Sequence, residues 1–251
     1  MRFFLIGFLA CWSLLSAAQS VEKGQNWSAH WIWLPKEDTS SVMLARQKFT
    51  LAEIPAAATL RITATSQYEL YLNGTYVRRG PARSAPHHQS FDALEVAPYL
   101  RVGQNQVAVR VHYLKGTTSY HQQGRGGLLA QLNVEGATAG AVVQTDEQWK
   151  VAPDKGWSEA APRTSRFQLV VNDLVDFRQR QRNWQALNYK DSAWGNARPL
   201  LREHGWPKLE PKATPQAHTP PWTRLVPREV PLLREVDVPA TTLVQAEQLE
   251  L

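Results

Sequence analysis

Ser66–Asp92 reads SQYELYLNGTYVRRGPARSAPHHQSFD, and its pattern decides the fold. Tyr68, Leu70 and Leu72 alternate with Glu69 and Tyr71, the period of two expected of a half-buried strand. Asn73-Gly74 follows, and both residues tolerate positive φ, so the chain can reverse in a tight hairpin. Thr75-Tyr76-Val77 returns as a second strand. The return leg runs into Arg78, Arg79, Gly80, Pro81, Ala82 and Arg83, then into a loop carrying His87 and His88. A rigid hairpin that delivers three arginines and two histidines to its open end predicts the edge of a binding or docking surface.

Strand signals continue on both sides of the hairpin. Upstream, Trp27-Ser28-Ala29-His30-Trp31-Ile32-Trp33 is a short aromatic edge segment. Val42–Leu51 is a strand of imperfect phase in which a bulge is expected, and Thr59–Thr65 puts Leu60, Ile62 and Ala64 inward. Downstream come Phe91–Val96, a turn at Pro98-Tyr99-Leu100, and Asn105–Tyr113, whose Val107, Val109 and Val111 oppose Ala108, Arg110 and His112. Gly124–Gly127 is expected to be a flexible connector before the alternating Leu128–Val134. Val142–Val151 completes the set, and Trp194 folds back from a turn at Tyr189–Trp194. Short strands separated by Gly, Pro and Asn predict an all-β chain, an antiparallel β-sandwich. Leu169–Trp184 has some helical spacing, which Val170-Val171 and the nearby arginines weaken.

Residues 1–20 have the pattern of a secretory signal peptide: Arg2, an apolar run and then small residues. The run is shorter than the roughly 20 apolar residues a bilayer span requires. A lipid attached at Cys11 is the competing reading, disfavoured by Phe8 and by the apolar residues beyond the cysteine. Cys11 is the only cysteine, so disulfides, thiol nucleophiles and thiolate metal sites are not expected in the mature chain. The predicted organisation is a β-sandwich over 21–206, a Pro-rich linker over 207–222 and the incomplete start of a following domain over 223–251. That last piece is strand-like but has no evident pairing partner. The expected location is periplasmic or secreted, off the membrane once the signal is removed.

The chain carries 28 Lys+Arg against 22 Asp+Glu, a net charge of +6. Its arginines are scattered rather than striped along a helix, which disfavours nucleic acid and favours an anionic polysaccharide or an acidic protein face. Ten tryptophans suit sugar stacking, though Trp27, Trp31, Trp33, Trp149 and Trp194 read mainly as core or sandwich edge. Glycoside hydrolysis needs two carboxyl groups about 5 to 10 Å apart. Of the candidate pairs, Asp146 and Glu147 point to opposite faces if they lie on a strand, Asp173 with Asp176 is better read as capping or solvated surface, and independent catalysis is not expected of these or of Asp92 with Glu95. His87, His88, His112 and His121 match no chelating spacing. No catalytic residue, metal site or cofactor is therefore expected. Arg79, Arg83, His87, His88, Tyr120 and His121 form the candidate surface: they contact sugar through arginine forks and a stacking tyrosine, they dock another domain whose acids pair with the arginines, or they lie on a plain solvated loop.

In their order, several motifs resemble the opening sandwich of bacterial α-L-rhamnosidases. They are Ala29-His30-Trp31-Ile32-Trp33, Arg46-Gln47-Lys48-Phe49, Tyr71-Leu72-Asn73-Gly74, Gly80-Pro81-Ala82-Arg83, Leu100–Asn105, Thr145–Lys150 and Asp191-Ser192-Ala193-Trp194. Leu225–Pro231 is similar to the stretch leading from that sandwich into later domains. The resemblance implies a jelly-roll, galactose-binding-like fold. It also implies chemistry carried out in a separate α/α-barrel, to which no position here corresponds. The chain then reads as a non-catalytic accessory or carbohydrate-binding module, truncated or encoded apart from its barrel. Its partners would be rhamnose-containing or acidic polysaccharide and that barrel, in cis or in trans. A free-standing lectin-like protein is the alternative, and an independent hydrolase acting through Asp173 or Asp176 is the third reading.

Overall fold

A computed structural model describes residues 27–35, 40–114, 124–135, 141–158, 173–200, 221–236, 238–239 and 242. Its strands are β1 (Ile32–Trp33), β2 (Val42–Leu51), β3 (Ala58–Ala64), β4 (Gln67–Leu72), β5 (Thr75–Gly80), β6 (Gln89–Glu95) and β7 (Gly103–His112). They continue as β8 (Leu128–Val134), β9 (Val143–Gln144), β10 (Lys150–Pro153), β11 (Gly195–Asn196), β12 (Arg198–Pro199) and β13 (Leu225–Pro227). One sheet runs β12-β1-β8-β3-β6-β13, with β9 also beside β8; the other runs β11-β10-β2-β7-β4-β5. The two sheets form the predicted β-sandwich. Among the described residues, no helix is long and apolar enough to cross a membrane.

The core is built from the alternations already read. Leu60, Ile62 and Ala64 of β3 lie across from Leu132, Ala130 and Leu128 of β8. Tyr68, Leu70 and Leu72 of β4 lie across from Val111, Val109 and Val107 of β7. All of these are buried in one apolar cluster between the sheets, and hydrophobic burial of this kind is the main term holding a cysteine-poor sandwich together. The hairpin turn forms as expected, with φ of 52° at Asn73 and 87° at Gly74.

Several expectations are corrected. β2 and β7 pair without interruption from Val42↔His112 to Leu51↔Gly103, so β2 has no bulge. Its phase looks imperfect because both faces are covered. Met43 and Ala45 join the main core, whereas Leu44 packs with Ala108, Ala152, Trp184 and Trp194 in a second cluster on the outer side of the sheet. The bulge lies instead in the hairpin, where the β4–β5 register shifts between Leu70 and Tyr71. Trp27–Trp33 is not an edge: β1 sits between β12 and β8, and Trp31 is fully buried. Gly126 and Gly127 are close-packed rather than loose, since a Cβ on Gly127 would lie 2.6 Å from the Trp222 ring and one on Gly126 would overlap Trp33.

Val142–Val151 is two strands rather than one. Asp146 ties a turn by accepting the Gln148 N–H at 2.9 Å, and the chain crosses from β9 in the first sheet to β10 in the second. Trp149 fills the crossing, its ring N–H donating to the Gln144 carbonyl at 2.7 Å. Residues 173–184 form turns, not helix. The Tyr189–Trp194 turn does fold back as expected, with Trp194 buried. Arg46, a buried guanidinium on the outer face of β2, fixes this layer: it meets Asp191 at 3.2 Å, donates to the Ala186 carbonyl at 3.0 Å and lies 5.0 Å over the Tyr189 ring. Burial lowers its pKa, opposed by Asp191 and Tyr189.

The final stretch is also corrected where it is described. Trp222 is fully buried and stacks on Trp31, with ring centroids 3.8 Å apart and planes 9° from parallel. Leu225–Pro227, expected to lack a pairing partner, pairs in parallel with Gln89–Phe91 of β6. The signal segment and most of the proline-rich stretch lie outside the described residues.

Candidate functional site

On the outer face of the second sheet, β4 and β7 place Glu69 across from Arg110 and Gln67 across from His112. Cross-strand neighbours of this kind have side chains on the same face, close enough to interact. Arg110 forms an ion pair with Glu69, whose other oxygen accepts the Tyr71 hydroxyl at 2.9 Å. Burial, and then the Glu69 carboxylate, pushes the Tyr71 pKa up to about 12, so the hydroxyl remains a donor at neutral pH.

Trp157 reaches this face from a turn after β10. Its N–H donates to the Asp154 carbonyl at 3.1 Å, and it forms an isolated bridge with Val175. The buried Asp154 accepts the Gly156 N–H at 3.2 Å and pairs with Arg180 at 3.4 Å, fixing the turn. The Trp157 ring lies 4.7 Å from His112 at a 55° tilt, and Arg110 sits 5.5 Å from its centroid. Together Glu69, Arg79, Arg110, His112, Trp157 and Asp173 line a cleft of about 400 Å³, with Leu233 of the C-terminal stretch at its rim. An aromatic ring beside a fixed carboxylate–guanidinium pair offers an apolar platform with donors and acceptors next to it. Small-ligand sites combine those features on a rigid scaffold.

Of the residues predicted from sequence that are described, Arg79 alone lines this cleft. Arg83 lines a separate, much smaller hollow with Thr65 and Gln89. His87 is exposed and His88 half-buried, both on one 3₁₀ turn, and the His87 carbonyl accepts the Thr223 hydroxyl at 3.1 Å. Tyr120 and His121 lie outside the described residues. Glu69, Arg110, His112 and Trp157 were not among the candidates. The outward phases of β4 and β7 were legible; that the two strands are neighbours was not.

Members of the carboxylate pairs have other partners. Asp92 is buried against the Tyr68 hydroxyl and the Arg228 guanidinium, whereas Glu95 is exposed and accepts the Thr59 hydroxyl at 2.7 Å. Asp146 serves its turn, its pKa raised by burial. Asp173 borders the cleft, but Asp176 is held on the surface by Arg178 at 2.9 Å, hydrogen bonds from which keep its pKa far below the usual carboxylate range. Among the described residues, no three His, Cys, Asp or Glu side chains group as a metal site.

The C-terminal stretch closes one side of the site. Arg228 binds Asp92 from β13's end, with Nη2 donating at 3.1 Å. Further along, Glu235 meets Arg79 Nε at 2.9 Å and accepts the Tyr76 hydroxyl at 3.0 and 3.1 Å, while Arg78 donates to the Leu233 carbonyl at 2.7 Å.

Residues 53–220 match the family model described as the α-L-rhamnosidase N-terminal domain. Among solved structures, the chain is similar to the GH78 rhamnosidase of Bacillus sp. GL1, at 33% identity and a TM-score of 0.71 over 83% of this chain and 20% of that one. The α-L-rhamnosidases of Dictyoglumus thermophilum and Aspergillus terreus share the fold, each with a TM-score of 0.54, at 19% and 22% identity. They align over 69% and 68% of this chain and 21% of their own. No curated protein sequence matches. The chain thus spans about one fifth of the length of these enzymes. A family match over two thirds of the sequence, carried on the sandwich described above, shows that this chain belongs to the α-L-rhamnosidase N-terminal domain family.

Proposed function

We propose that this sandwich is a non-catalytic, carbohydrate-binding module serving an α-L-rhamnosidase-like glycoside hydrolase, with the catalytic barrel supplied in cis or in trans. The proposed setting is the periplasm or the exterior, where plant or bacterial polysaccharide is met. One observation carries the reading. The outer face of the second sheet holds Trp157 beside the Glu69–Arg110 pair in a cleft of about 400 Å³. That volume suits one or two sugar rings. The carboxylate can accept and the guanidinium donate to vicinal hydroxyls while the indole covers an apolar ring face.

Titrating the purified chain with a rhamnose-containing oligosaccharide tests it, with hydrolysis of an aryl rhamnoside followed in parallel. Saturable binding without turnover is expected. Trp157→Ala should weaken binding at least about tenfold, roughly 1.4 kcal/mol, while the melting transition stays cooperative. Unchanged affinity in that variant would remove the cleft from the proposal, and turnover by the isolated chain would remove the word non-catalytic.

A further inference from the structure

The hairpin bulge has a chemical consequence at the rim of the cleft. In unbroken register, Leu70 would face Val77 and Glu69 would face Arg78. The shift between Leu70 and Tyr71 leaves Tyr76 opposite Tyr71 but sets Arg79, rather than Arg78, opposite Glu69. Bulges re-aim side chains in this way, often beside functional sites. Here the extra residue puts a phenol and a guanidinium, three positions apart, on the same face as the cleft. Both converge on one carboxylate, that of Glu235: Arg79 Nε at 2.9 Å and the Tyr76 hydroxyl at 3.0 and 3.1 Å from its two oxygens.

We propose that Tyr76 and Arg79 form a carboxylate-binding subsite for the acidic sugar unit, of uronate type, of a bound polysaccharide, and that the chain's own Glu235 occupies this subsite until such a ligand displaces it. This rests on the reading of the cleft as a sugar site and names the class of sugar it takes.

Three observations bear on it. The first is the difference between the two cations of the cleft. Arg110 is 15% exposed and bound to Glu69 on the neighbouring strand, so its partner is fixed by the sheet. Arg79 is 62% exposed, and its partner comes from a stretch outside both sheets. An ion pair that open to solvent is weak and screened by salt, so a competing carboxylate can replace it at small cost. The second is donor geometry. A guanidinium and a phenol meeting one carboxylate give it two directional donors, which a neutral sugar hydroxyl cannot use equally well. Burial, and then the hydrogen bond to Glu235, raises the Tyr76 pKa, so its hydroxyl stays a donor at neutral pH. The third is position. Leu233 lines the cleft and its carbonyl accepts from Arg78, so the segment that delivers Glu235 lies along the rim a polysaccharide must cross.

The test compares digalacturonate with a neutral rhamnose-containing oligosaccharide by calorimetric titration of the full chain, at low and at high salt. Variants are Glu235→Gln, Arg79→Ala and Tyr76→Phe, each checked for an unchanged melting transition. Glu235→Gln should tighten digalacturonate about fivefold, the worth of a surface ion pair near 1 kcal/mol. Arg79→Ala should abolish that gain, and high salt should reduce it. Glu235→Gln should leave the affinity for the neutral oligosaccharide unchanged. Digalacturonate affinity that Glu235→Gln leaves unchanged or weakens overturns the proposal, as does a wild type and a Glu235→Gln variant that both ignore digalacturonate. Binding of digalacturonate but not the neutral sugar would support the subsite while removing the broader cleft reading. Binding of the neutral sugar alone would do the reverse.

Discussion

Asp92 occupies a position where the strand's own alternation asks for an apolar side chain. It shares the phase of Leu94 on β6 and lies across from Ile62 in the core. Its charge is answered from two directions, by the Tyr68 hydroxyl and by the fork of Arg228. Burial, and then the Asp92 charge, raises the Tyr68 pKa, so the phenol donates and does not ionise. Gly80 completes the arrangement, because a Cβ there would overlap the Asp92 carboxylate and meet the Tyr68 hydroxyl at 2.7 Å. Removing one member of a buried pair strands the other charge. Arg228→Met should therefore cost about 3–5 kcal/mol in denaturant unfolding. The double variant Asp92→Leu with Arg228→Met should recover most of it, since exchanging both charges for apolar groups is often near neutral. A double variant no more stable than the single one would show that the pair is not the source. Asp92 shares its phase with the buried Leu94 and Val96, a conflict of charge and core position that the sequence reading did not draw out. Its partner was not legible, because 136 residues separate Asp92 from Arg228.

The β4–β5 hairpin concentrates unusual phenols. Tyr68, Tyr71 and Tyr76 all lie on it, and burial is the largest cause raising the pKa of each, with a neighbouring carboxylate adding to it. Because the folded values lie above the unfolded value near 10, these groups contribute their full stability below about pH 10. They lose it as pH rises, through about 12 in the case of Tyr71. In an alkaline titration followed by phenolate absorbance, these three and Tyr113, whose pKa burial also raises, should ionise late in the folded chain, four of the seven tyrosines, and near pH 10 in denaturant. All seven ionising together near 10 with the fold intact would contradict this. Elements of this kind were legible where one phase is consistently apolar and the other polar or small: β3, β4, β7 and the Asn73-Gly74 turn follow their alternation. The reading failed where burial is two-sided or the chain changes sheets. Leu44 and Arg46 are buried under the 176–194 layer, which erases the polar phase of β2. The crossing at Asp146 looks like continuous strand because Val142, Val143 and Val151 lie on either side of it. The cleft was hidden for a related reason: Trp157 reaches it through a turn that no local pattern announces.

At the scale of the whole molecule, the family match ends at residue 220 while the folded unit does not. Trp222 fills the space over Trp31 and against Gly127, β13 extends the first sheet beyond β6, and Arg228 neutralises Asp92 in the core. Losing a buried tryptophan costs about 3–5 kcal/mol, and orphaning the aspartate a similar amount. Together these approach the roughly 5–15 kcal/mol that holds a typical domain folded. A chain ended at residue 220 is therefore expected to show no cooperative thermal transition, whereas one ended at residue 236 should melt close to the full chain. Trp222→Ala in the full chain should fall between them, because it empties the stack but leaves β13 and Arg228 in place. Circular dichroism melts of the three would decide the matter. If the chain ended at residue 220 melts with the full chain, residues 222–228 rest on a sandwich that is already complete; if it does not, they are part of the fold, and the Glu235 contact is delivered by a segment anchored in the core at Arg228.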